Sequence, residues 1–142
     1  MKLKFFDKMN IKKVKWEKVL NLIERHLPLV LICIFIFIQS GKTARVVSYD
    51  GNTNFFIHKL AHFTLFSLVF LFAHRSFGNK KTALIFTVLY GISDEIHQSF
   101  IPTRTPSLTD VFIDSGAGLT MFYLISKYKK SMPISIVKFF NL

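Results

Sequence analysis

The feature that most constrains this chain is a set of apolar runs, most of which lack the polar face that helical or strand periodicity would give a soluble element. The sequence is 51% hydrophobic and holds 17 Phe in 142 residues, too apolar for an ordinary soluble domain of this size. A bilayer is the simpler solvent. The net charge of +11 raises the question of a nucleic-acid partner, but the basic residues lie in linkers and tails rather than along one binding stripe. Anionic lipid head groups are the expected counter-charge, and no nucleic acid is expected. A single cysteine, Cys33, excludes an internal disulfide and a thiolate metal cluster, and reads as a small hydrophobe. The basic stretch 1–26 followed by an apolar run lacks a small-residue cleavage pattern before Gln39-Ser40-Gly41, so it reads as a retained anchor.

The expected fold is all-α, a four-helix transmembrane bundle with basic interfacial or disordered tails. The first run, Leu27 to Ile38, is shorter than the ~20 residues a crossing needs. It must extend upstream through Val19, Leu20, Leu22 and Ile23, with Pro28 placed to kink or restart it. Helix two is expected from about Phe55 to Phe77, a turn at Gly78 to Lys81, helix three from about Thr82 to Phe100, and helix four from about Leu108 to Ser126 after Pro102 and Pro106. This divides the chain into a basic segment 1–18, a membrane domain 19–126 and a tail 127–142. The two ends, Met1 to Trp16 and Met132 to Leu142, carry apolar residues that could lie along a membrane surface.

Basic residues set the orientation. Fifteen Lys or Arg fall in residues 1–26, at Arg75, Lys80 and Lys81, or from Lys127 onward, against only Lys42, Arg45 and Arg104 in the other two loops. The positive-inside rule then puts both termini in the cytoplasm. Ionisable groups within the membrane cost about 2.5–3.5 kcal/mol each at its centre, and here they are concentrated at the opposite, outer level. Helix two brings Lys59 and His62, which share a face at i, i+3. Helix three brings Ser93, Asp94, Glu95, His97 and Gln98, and helix four brings Ser107, Asp110 and Asp114. Half of the eight acids are in this set. Ser107-x-x-Asp110 also has the form of a helix start, with an acid favoured by the helix dipole.

These same residues carry a resemblance. Lys59-x-x-His62-Phe63, the word Gly91-Ile92-Ser93-Asp94-Glu95-Ile96-His97-Gln98-Ser99-Phe100, then Pro102-Thr103-Arg104, Ser107-x-x-Asp110 and Gly116-Ala117-Gly118 are similar to the motifs of the VanZ-like family of bacterial membrane proteins. The match covers a little under half the chain but nearly all its polar membrane residues. Relatives often carry Asn where this chain has Asp114, so the resemblance does not assign that residue. It implies a multi-pass protein of the bacterial cytoplasmic membrane, with a role in the envelope or in the response to the glycopeptide teicoplanin.

Two functions of different class fit this pattern. In the first, a binding or shielding protein, Lys59 and Arg104 take the anionic head group of a lipid, of a lipid-linked wall precursor or of a lipid-anchored glycopeptide, while Asp94, Glu95 and Asp110 orient those cations. In the second, a membrane hydrolase of phospholipid or polyprenyl phosphate, His62, Asp94, Glu95, His97 and Asp110 supply nucleophile and acid–base groups. Ser93, Gln98, Ser107 and Asp114 are supporting residues in both. A zinc site built from His62, Asp94, His97 and Asp110 has compatible spacing but no Cys ligand and no H-E-x-x-H word, so no metal and no cofactor is expected. The remaining alternative is a polar network that pins helices two to four, with Gly116 and Gly118 allowing close approach. His58 reads as interfacial and His74 as a cytoplasmic-end residue, and oligomeric state is not encoded in the pattern.

Overall fold

A computed structural model describes residues 2–42, 50–102, 104–140 and 142, with side chains from Val14 onward except Lys15. Arg45, Thr103 and the side chains of the first apolar–basic stretch lie outside the described residues. The described chain is all-helical: α1 (Lys2–Ser40), α2 (Gly51–Phe77), α3 (Lys80–Ser99), α4 (Leu108–Tyr128), a 3-10 turn (Lys129–Ser131) and α5 (Ile134–Phe140).

Three segments are long and apolar enough to cross a membrane, Trp16–Ser40, Gly51–Phe77 and Leu108–Ser131. The sequence pattern led us to expect four. The third helix is not among them, because its two ends carry Lys80 and Lys81 on one side and Asp94 and Glu95 on the other. Helices α2, α3 and α4 pack on one another, while α1 lies along α2 and also reaches α3.

Local chemistry explains the boundaries. Asp50 caps α2, accepting from the Thr53 amide at 2.8 Å and its hydroxyl at 2.5 Å, so the helix begins four residues before the expected Phe55. Gly78 ends it in the left-handed region (φ 69°), donating its N–H to the His74 carbonyl, and Asn79 at once caps α3 through the Lys81 and Thr82 amides. Two residues thus reverse the chain and make α2 and α3 antiparallel neighbours.

Pro28 does not restart the helix, since α1 runs through it. Its missing N–H leaves the Glu24 carbonyl without a helical partner, and Arg75 of α2 donates to that oxygen at 3.3 Å. The same guanidinium donates to the Phe139 carbonyl and lies 4.5 Å from the Phe139 ring, while Arg25 donates to the Arg75 carbonyl at 3.1 Å. His26 bonds Ser76 beside them. Part of the tail is therefore helix docked on the base of α2, with Phe140 5.7 Å from Phe72, rather than a free strand of chain.

The buried apolar core is small and centred on α2: Phe66, Val69, Phe70 and Ala73, with Leu29, Ile36, Ala83, Ala117 and Ile125 closing around them. Most large apolar side chains are exposed instead, among them Phe35, Phe56, Ile85, Leu89, Phe112 and Leu119. In water that surface would be an aggregation liability, and in lipid it is the solvated face. Close helix approach falls on Gly91 and Gly118. A Cβ on Gly91 would lie 3.2 Å from Asp114 Cβ, and one on Gly118 would lie 3.2 Å from Leu84 and Thr87. Gly116 faces open space, so the expected role of that glycine in packing is not met.

Candidate functional site

The antiparallel hairpins bring the start of α2, the end of α3, the start of α4 and the end of α1 to one level. There the polar residues of the three motif-bearing helices converge. Lys59 and His62, one turn apart on α2, face Asp110 and Asp114, one turn apart on α4. Lys59 Nζ lies 2.5 Å from Asp110 Oδ1, and His62 Nδ1 lies 3.1 Å from Asp114 Oδ1. The matched spacing of the two pairs is what makes both contacts possible at once.

Helix α3 supplies the third side. Gln98 Nε2 donates to Asp94 Oδ2 at 2.9 Å and approaches Glu95 Oε1 at 3.5 Å. Glu95 Oε2 accepts the Ser107 amide at 2.7 Å. This corrects the reading of Ser107-x-x-Asp110 as a self-contained helix start. Ser107 does occupy the N-cap, but its side chain makes no capping bond. The N-cap amide is satisfied by a carboxylate from another helix, which frees Asp110 to pair with Lys59. Asp94, Glu95 and Gln98 are 4–5% exposed and Asp114 is fully buried, so these groups sit in the protein and not at a wet rim.

Three expected members stand elsewhere. Ser93 is exposed and donates to the Tyr90 carbonyl at 2.8 Å. His97 turns away to α1, stacking on Phe37 with centroids 4.1 Å apart. Arg104 is not held by Asp94, Glu95 or Asp110. Its Nε donates to the Lys42 carbonyl at 3.2 Å and an Nη to the Gln39 carbonyl at 3.5 Å, placing a cation at the C-terminus of α1. Helix α1 is thus part of the site's wall.

A cavity of about 120 Å³ opens beside the cluster, lined by Gln39 and Ser40 of α1, His58 and His62 of α2, Asp94 and Gln98 of α3, and Arg104, over an apolar floor that includes Phe66. A larger and shallower cavity, about 690 Å³, lies at the far end of the molecule among His74, Lys80, Lys81 and Lys129. It shares no residue with the motifs and is a basic groove.

Sequence reasoning underweighted Asp114. Its Oδ2 is buried without a hydrogen-bond partner, turned toward Gly91 on α3. The available signal was the i, i+4 spacing of Asp110 and Asp114 against the i, i+3 spacing of Lys59 and His62. The zinc donor set weighed from the sequence, His62, Asp94, His97 and Asp110, is not brought together, since His97 faces α1 and Asp110 is paired with Lys59.

A family model described as VanZ/LLP1 matches residues 8–130. No curated protein and no solved structure matches the chain.

Proposed function

The chain belongs to the VanZ/LLP1 family, and we propose that it is a multi-pass protein of the bacterial cytoplasmic membrane whose polar end faces outward and binds the anionic head group of a cell-envelope lipid. In this arrangement α3 is the fourth crossing: its 20 residues span about 30 Å, the thickness of the hydrocarbon core. Both termini, and the basic groove around Lys80 and Lys81, are cytoplasmic by the distribution of Lys and Arg.

The observation that carries the binding reading is the 120 Å³ cavity with Arg104 in its lining and Lys59 held nearby by Asp110. Pockets for drug-sized ligands run to about 300–1,000 Å³, so this one suits a phosphate-sized group and not the body of a glycopeptide. A teicoplanin response then follows from the lipid that is held. The carbonyls of Gln39 and Lys42 fix the guanidinium plane, and a phosphate would meet a preset fork. Binding of a polyprenyl phosphate to the protein in nanodiscs tests this. Arg104→Lys keeps the charge and loses the fork, with about tenfold weaker binding expected. Unchanged affinity would count against the reading.

One observation favours a second reading. His62 and Asp114 form the base-and-orienter pair of a general-base site, with His62 lining the cavity. Hydrolysis of a lipid phosphate predicts phosphate release that His62→Asn abolishes, and purified protein that releases none from a panel of lipid phosphates would sink it.

A further inference from the structure

We infer that His62, Glu95 and Asp114 together hold one divalent transition-metal ion at the meeting point of α2, α3 and α4. One ligand-capable atom of each residue lies within 4.8 Å of the other two. Donors at about 2.0–2.2 Å from an ion can be at most about 4.4 Å apart, so the set closes on an ion with side-chain shifts of under about an ångström. The 3.1 Å between His62 Nδ1 and Asp114 Oδ1 already falls near the roughly 3.0–3.4 Å that separates neighbouring ligands on such an ion.

A second observation points to a ligand independently. Asp114 is fully buried, yet its Oδ2 has no partner in the protein. It is turned toward Gly91, where the absence of a side chain leaves it space, one helical turn before Glu95. An orphaned carboxylate oxygen in an apolar interior is costly unless something positive meets it.

Charge leads to the same place. Asp94, Glu95, Asp110 and Asp114 share this level, and among the described residues the only Lys or Arg paired with any of them is Lys59, on Asp110. Arg104, the other nearby cation, is directed at backbone carbonyls. A dication compensates the remaining acids without a further side chain. The surrounding bonds have the form of a support layer: the Ser107 amide fixes Glu95 Oε2, leaving Oε1 with only a 3.5 Å approach from Gln98. An imidazole with two carboxylates suits zinc or manganese better than magnesium or calcium, and three protein ligands leave coordination positions open.

Metal-stripped protein reloaded with Mn²⁺ or Zn²⁺ in detergent, followed by elemental analysis and Mn²⁺ paramagnetic resonance, reads the site directly. We expect about one equivalent per chain, and affinity reduced at least about tenfold in both Asp114→Asn and Glu95→Gln with helix content retained. Ser93→Ala, outside the cluster, should keep the full equivalent. Should either variant fail to fold, His62→Asn takes its place. Wild-type protein holding under about a tenth of an equivalent, or a loss confined to one of the two variants, overturns the three-ligand site. The inference stands apart from head-group binding: lipid phosphate held by metal-stripped protein that takes up no ion would leave the binding reading intact and remove this one.

Discussion

At the end of the molecule that carries the α2–α3 turn, arginines are directed at backbone carbonyls, whereas at the opposite end carboxylates outnumber the cations that reach them. Arg75 and Arg25 meet the oxygens of Glu24, Phe139 and Arg75, so their contacts are with atoms the fold itself leaves exposed. Asp94, Glu95 and Asp114 are met by a glutamine, an amide and a histidine, and one oxygen of Asp114 is met by nothing. The first pattern is what a membrane protein does to tie helices together. The second is costly for a protein alone, and it is what the proposed occupant would relieve.

Substitutions can break or sharpen that contrast. The largest effect on stability is expected from Gly91→Val, which drives a side chain into Asp114 and Phe66 and should cost about 3 kcal/mol, read as a lower unfolding midpoint in detergent. Next comes Arg75→Ala. It leaves the Glu24 and Phe139 carbonyls without their donor and should cost about 2 kcal/mol, tempered by the partial exposure of this end. Asp114→Asn keeps the shape while removing a buried carboxylate, so stability should change by less than about 1 kcal/mol while uptake of the proposed ion falls. A large stability loss there would erase the distinction between a tying end and a binding end.

The smallest effect concerns Asp50, which caps α2 beyond the carboxylate cluster. The Thr53 hydroxyl and amide hold its carboxyl below the ordinary carboxylate value. A depressed folded-state value means its capping contribution is fully present above about pH 4 and is lost as pH falls through the lower folded value. The difference in midpoint between wild type and Asp50→Ala should therefore be present at neutral pH and vanish in strong acid. A difference that persists there would mean the cap acts through shape alone.

Much of this was legible in the sequence, for identifiable reasons. The one-turn spacings of Lys59 with His62 and of Asp110 with Asp114 are local facts, and they put the four residues in two matched contacts. The Gly78-Asn79 turn is equally local. What did not follow was any feature set by the placement of one helix against another. Nothing near Ser107 says that Glu95, twelve residues earlier, completes its cap. Nothing near Arg104 says that α1 ends beside it, and the side to which His97 turns depends on Phe37, sixty residues away. Composition alone does not mark α3 as a crossing, because its acids, buried against α2 and α4, leave it fewer apolar residues than a free crossing carries.

Pro28 has a last consequence. A smooth apolar helix in lipid can slide along its neighbour and turn about its own axis at little cost, since one leucine-covered face resembles the next. Pro28 removes that degeneracy by opening one acceptor, Glu24 O, at a single height and a single bearing, and Arg75 can reach it in only one alignment. The defect acts as a key in a keyway. It indexes the depth and rotation of α1, and with them the position of Gln39 and Ser40 some 17–24 Å away at the other end of the helix.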